Sequence, residues 1–140
     1  MSSLVFTPAY QLAQMIRDKT VSTKEVLEAY LEQIEKHNPR INAIATLDEE
    51  AARKRASEAD EAIAKSEIWG QLHGVPITIK DTFETSGLLT TAGYKPLRNY
   101  IPSQDATVVA RLRQAGAIII GKTNPAEMAR NGITGNCSRD

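Results

Sequence analysis

Residues 70–124 read GQLHGVPITIKDTFETSGLLTTAGYKPLRNYIPSQDATVVARLRQAGAIIIGKTN, and the reading of the fold turns on this stretch. Val75, Ile77 and Ile79 alternate with Pro76, Thr78 and Lys80, the period of a strand with two unlike faces. Lys80 closes that strand and points away from the Ile77 and Ile79 side. Residues 82–100 are broken by Gly87, Gly93 and Pro96 and read as loop. Asp105 stands where it would cap a helix whose Val108, Val109 and Leu112 face inward, and Gly116 ends that helix. Residues 117–120 are apolar on both sides, the mark of a fully buried strand. Asn124-Pro125 predicts one more helix, carrying Glu127, Met128 and Ala129. Strand, helix, strand, helix in this order predicts an α/β sheet with right-handed crossovers.

Upstream the pattern changes to helices. Thr7-Pro8 predicts a helix start, with Thr7 as N-cap and Pro8 in the first turn. Ser22-Thr23-Lys24-Glu25 is a capping-box sequence, followed by an apolar stripe of Val26, Leu27, Tyr30, Leu31 and Ile34. His37-Asn38-Pro39 should end this helix, because the residue before a proline is pushed out of the α region. Residues 41–46 alternate and read as extended. Residues 48–65 are Ala-rich and charged, with Ala52, Ala56, Ala59 and Ile63 as a thin stripe that predicts light packing on a larger body. The chain thus divides into an N-terminal helical segment, 1–66, and the start of an α/β core, 67–140.

Composition bounds the function. The 140 residues suffice for one domain with a real core, and 41% apolar with 24% charged residues is the balance of a soluble globular protein. Lys plus Arg and Asp plus Glu both number 17, so no net field draws in nucleic acid. Ile118–Ile120 is the longest aliphatic run, far short of a bilayer span, and the N-terminus lacks the pattern of a signal peptide. The single cysteine, Cys137, excludes an internal disulfide framework and fits a reducing cytoplasm. A cytoplasmic protein without membrane attachment is expected.

Lys80 is the candidate for chemistry. A lysine at a strand end can be held rigidly and partly desolvated, and desolvation disfavours the ammonium, so such an amine can act as a base near neutral pH. From spacing alone, a solvated Lys80 or one paired with Asp81 is the simpler reading. Gly116-x-x-x-x-Gly121-Lys122-Thr123 matches the letters of a phosphate-binding loop. A helix precedes its first glycine, however, and its middle is a run of β-branched residues that favours a strand. His73 and His37 have no acidic or cysteine partner at ligand spacing and read as structural or exposed. A Cys137–His73 nucleophile pair has no orienting motif. Trp69 reads as packing at a domain edge.

Five pieces of this chain resemble the amidase signature family: Gly74-Val75-Pro76-Ile77-Thr78-Ile79-Lys80-Asp81, Thr85-Ser86-Gly87, Thr90-Thr91-Ala92-Gly93, Asp105-Ala106-Thr107-Val108-Val109, and the run from Ala115 to Asn124. The resemblance implies a large α/β/α layered fold around a mixed sheet. It also implies that Lys80 is the base of a Ser–cis-Ser–Lys triad, which draws a proton through a bridging serine from a nucleophilic serine that attacks an amide carbonyl. In the family the Thr90–Gly93 loop packs close to that lysine, and residues 122–124 support the architecture around it. Where the family more often has Gly-Ser, this chain has Gly93-Tyr94. No metal or organic cofactor is implied.

The two serines of the triad have no counterpart, because the sequence contains no Gly/Ser-rich loop before its last residue, Asp140. Neither Ser86 nor Ser138 has the glycine context of an oxyanion hole. The expectation is a truncated amidase portion with its base and without its nucleophile, inactive alone. It would be completed by the remainder of an amidase or by a complementary chain carrying that loop, and only the complete enzyme would take a small amide substrate. Two alternatives stand beside this: a non-catalytic interaction domain derived from an amidase, and a nucleotide-binding module at Gly116–Thr123.

Overall fold

The computed structural model describes residues 4–130. A 3-10 turn, Leu4–Phe6, leads into α1 (Ala9–Arg17), α2 (Thr23–Ile41), β1 (Ile44–Leu47), α3 (Glu49–Ala64), β2 (Pro76–Lys80), α4 (Thr107–Gln114) and β3 (Ile118–Thr123). Further 3-10 turns lie at Lys95–Leu97 and Glu127–Ala129. The three strands form one mixed sheet in the order β1-β3-β2, with β2 parallel and β1 antiparallel to the central β3.

β3 is covered on both faces, as its unbroken apolar run requires. On one face Ile118 and Ile120 pack against Leu27 and Leu31 of α2 and Ala52, Ala56 and Ala59 of α3. On the other, Ile119 and Ile79 pack with Val109 of α4 and with Leu88. The alanine stripe of α3 is fully buried at Ala52, Ala56 and Ala59. Small side chains let this helix approach the sheet closely, so it is a central element of the core. β1 lies in the first of the two segments expected from sequence, yet its ladder partner β3 lies in the second.

The helix starts follow local chemistry where that chemistry acts locally. At α2 the Ser22 hydroxyl accepts from Glu25 N at 3.1 Å, and Ser22 N donates to Glu25 Oε2 at 2.8 Å, closing the capping box. Asp48 caps α3 through Ala51 N at 3.2 Å. Gly116, at φ +90°, terminates α4, and a Cβ there would stand 2.8 Å from His73 Cα.

Five local expectations are corrected. The first helix begins at Ala9 with Pro8, not Thr7, as N-cap. α2 runs through Pro39 to Ile41 and ends on Asn42 in the left-handed conformation. Asn38 stays helical because its side-chain amide grips β1, donating to Ile44 O at 3.0 Å and accepting from Ile44 N at 2.9 Å. Asp105 caps no helix: α4 starts after Ala106, and the Asp105 carboxylate instead accepts from Ser86 N at 2.7 Å and from Arg113 Nε at 2.8 Å. Val108 is exposed, since α4 can bury only one side of its short turn and buries Val109. Residues 127–129 form a 3-10 turn, not an α-helix, with Met128 at φ +49°. Cys137 and Ser138 lie outside the described residues. Among the described residues no helix is long and apolar enough to cross a membrane.

Candidate active site

The alternation in residues 75–80 places Ile79 in the core and delivers Lys80 to the C-terminal end of β2, opposite Thr123 in register. There Lys80 is exposed. The partial desolvation expected for this side chain is absent, because nothing in the described residues covers that strand end. The chain then turns at once, and Phe83 N donates to Lys80 O at 3.0 Å.

The next residue, Asp81, is almost wholly buried, at 1% exposure. Its Oδ2 accepts from Thr91 N at 2.9 Å and from the Thr91 hydroxyl at 2.7 Å. Its carbonyl accepts from Ala92 N at 3.1 Å, and the Thr91 hydroxyl accepts in turn from Gly93 N at 3.1 Å. The Thr90–Gly93 loop is therefore fastened to the residue that follows Lys80, in keeping with the place the family resemblance gave it. Tyr94, standing where a serine is commoner, is exposed.

Sequence reasoning did not foresee the buried charge beneath this turn. Lys122 is fully buried. Its Nζ donates to Phe83 O at 2.8 Å and to Thr90 Oγ1 at 2.7 Å, and lies 3.3 Å from Asp81 Oδ1. Asp81 Oδ1 has no other partner among the described residues, and the contact is an ion pair rather than an aligned hydrogen bond. The ammonium thus makes two hydrogen bonds and one ion pair. Burial pushes the Lys122 ammonium below the usual lysine value, and the Asp81 carboxylate opposes that shift.

A bulge puts Lys122 there. Ile77 pairs with Ile119 but Thr78 pairs with Gly121, leaving Ile120 as an extra residue on β3. Without it, Lys122 would face opposite to Ile119. With it, Lys122 stands opposite Ile79 and on the same face. The signal in the sequence was a lysine two residues past a run of isoleucines, with an aspartate just past the neighbouring strand.

The same geometry disposes of the phosphate-loop reading. Residues 118–123 are a strand whose amides serve the ladder, with Ile118 N donating to Val75 O at 2.9 Å. A Cβ at Gly121 would collide with the Thr46 carbonyl oxygen, and the lysine such a loop would need is committed below the surface. His73 is a satisfied core residue. Its Nδ1 accepts from Trp69 N at 3.0 Å, which leaves Nε2–H to donate to Ala59 O at 3.1 Å. Burial pushes the imidazole below its usual value. Trp69 stacks beneath Arg55, whose Cζ is 3.7 Å from the ring centroid. His37 is exposed, and Ser86 Oγ donates to Ser103 O at 3.1 Å.

The family model described as amidase matches residues 25–138, which takes in both lysines and the Thr90–Gly93 loop. The chain belongs to the amidase family. The relatives of this chain include a glutamyl-tRNA(Gln) amidotransferase subunit from Carboxydothermus hydrogenoformans, 44% identical over 95% of this chain and 27% of that protein. Among solved structures, an amidase is similar with TM-score 0.81 at 37% identity, over 89% of this chain and 28% of the other. Fatty acid amide hydrolase is similar with TM-score 0.82 at 25% identity, over 89% and 22%. The chain therefore spans about a quarter of the length of the curated relatives it matches, and its mixed α/β architecture is that of amidase-signature enzymes.

Proposed function

We propose that this chain is the base-bearing portion of an amidase that cleaves carbon–nitrogen bonds, with Lys80 as the base of a Ser–cis-Ser–Lys triad. The reading is supported above all by the matched family stretch in which Lys80 lies, at a strand end beside a turn whose next residue is buried and held by several bonds. In this reading the Lys80 amine takes the proton that a bridging serine relays from the nucleophilic serine. The serine oxygen bonds to the amide carbonyl carbon, and collapse of that adduct breaks the carbon–nitrogen bond and releases the protonated amine. Water then cleaves the acyl-serine ester. Both serines and the oxyanion-binding N–H groups come from a Gly/Ser-rich loop that these 140 residues do not contain. The chain alone is inert towards amides, because a lysine base without a nucleophile cannot form the acyl intermediate.

The test is co-expression with the segment of a related amidase that carries the Gly/Ser-rich loop, followed by assay of ammonia release from carboxamides. Turnover is expected from the pair and not from the chain alone, and Lys80→Ala should lower it by roughly 100- to 10,000-fold. Turnover that survives Lys80→Ala overturns the assignment, as does lysine-dependent hydrolysis by the purified chain alone.

A further inference from the structure

Among the described residues Lys122 is the only buried lysine or arginine, and the proton transfers proposed above do not use it. A buried ammonium is costly unless fully paired, so what it is paired to is informative. Its partners come from two segments, the turn at Asp81 and Phe83 and the loop at Thr90. Asp81 adjoins the main chain of Lys80, and Phe83 bonds directly to it. Phe83 is held at both ends, its N–H by Lys80 O and its carbonyl by Lys122. The Thr85 hydroxyl adds a second donor to that carbonyl at 3.1 Å. Asp81 carries the loop through Thr91 and Ala92.

We propose that Lys122 is a positioning residue for Lys80, acting through Asp81 and the turn that closes on Phe83. The proposal rests on the reading of Lys80 as the base. Lys80 sits in solvent at the end of β2, where no side-chain packing holds it, so its main chain sets the place and the Cα–Cβ direction from which the amine extends. That main chain runs directly into Asp81, whose Oδ1 faces Lys122, and the turn's closing residue is bonded through its carbonyl to the same ammonium. β3 thereby sets the orientation of a residue on β2 through polar contacts in addition to the ladder. Thr90 and Thr91 complete the arrangement: the Thr90 hydroxyl accepts from Lys122 and donates to Leu88 O at 3.1 Å.

Amide hydrogen exchange on the intact chain tests this without any activity. Lys122→Met should speed exchange at Phe83, Thr91 and Ala92 at least about tenfold relative to Ile118, whose amide belongs to the ladder. Thr90→Val, which keeps shape and removes one acceptor, should give the same pattern at smaller amplitude and serves if Lys122→Met does not fold. Uniform acceleration across the chain, or none at these three amides, overturns the proposal. In the enzyme reassembled with the loop-bearing segment, Lys122→Met should lower kcat about 10- to 100-fold with KM nearly unchanged. A rise in KM at constant kcat overturns it. Activity retained by Lys80→Ala would instead remove the base assignment, while the exchange pattern is decided independently.

Discussion

The two faces of β3 differ in that one is wholly apolar, whereas the other adds a polar cluster to the apolar packing of Ile119. Towards α2 and α3 the strand presents Ile118 and Ile120 to leucines and alanines, and the contact is dry and non-directional. Each large aliphatic side chain buried there contributes about 1.5–3 kcal/mol. Towards the Thr90–Gly93 loop the same strand presents Lys122, and four polar side chains are joined by aligned hydrogen bonds and one ion pair. The first kind of contact tolerates small shifts of its parts, whereas the second fixes them, because hydrogen bonds weaken steeply with misalignment. Aliphatic packing on both faces holds the domain together, and the polar cluster around Lys122 on the second face fastens the turn that follows Lys80.

Substitutions should separate the two faces. Asp81→Ala leaves the Lys122 ammonium buried without its carboxylate and should cost about 3–5 kcal/mol in urea unfolding. A cost within the range of an exposed substitution would mean that the polar face holds little. Ile118→Ala should cost about 2–5 kcal/mol, while the volume-conserving Ile118→Leu should stay below about 1.5 kcal/mol. Equal sensitivity to both would mean that the apolar face is also geometrically exacting. The smallest effect concerns the one buried histidine on the α3 side. His73 has a folded pKa below its unfolded value of about 6.5. Its contribution is therefore complete above that value and is lost as pH falls through it towards the folded value. The urea midpoint should drop between pH 7.5 and 5.5, with a flatter profile in His73→Gln; an unchanged slope in that variant would assign the pH dependence to other groups.

Much of this was legible in the residues because the causes are local. The capping box at Ser22 and Glu25, the alanine stripe of α3, the alternation in β2 and the role of Gly116 each depend on neighbours within a turn or two. The β-branched run that argued against a phosphate loop was of the same kind. What escaped depends on partners distant in sequence. The burial of Lys122 follows from a bulge at Ile120 and an aspartate 41 positions earlier, neither of which leaves a periodic trace. Asp105 looked like a cap and was claimed by Ser86 and Arg113. Pro39 looked like a terminator and was overridden by the grip of Asn38 on β1. The exposure of Lys80 was missed for a related reason: whether a strand end is covered depends on segments that are not its neighbours.

The bond pair from Asn38 to Ile44 also gives the sheet a sidedness. A side-chain carboxamide has the donor and acceptor spacing of a peptide group, so at the outer border of β1 it stands in for the first residue of a fourth strand. A polypeptide pairing with Ile44 at that border would have to displace it, whereas no such contact to the outer margin of β2 is seen among the described residues. The free margin of β2 is the one whose strand ends on Lys80, so a segment pairing there would run beside the residue that carries the amine.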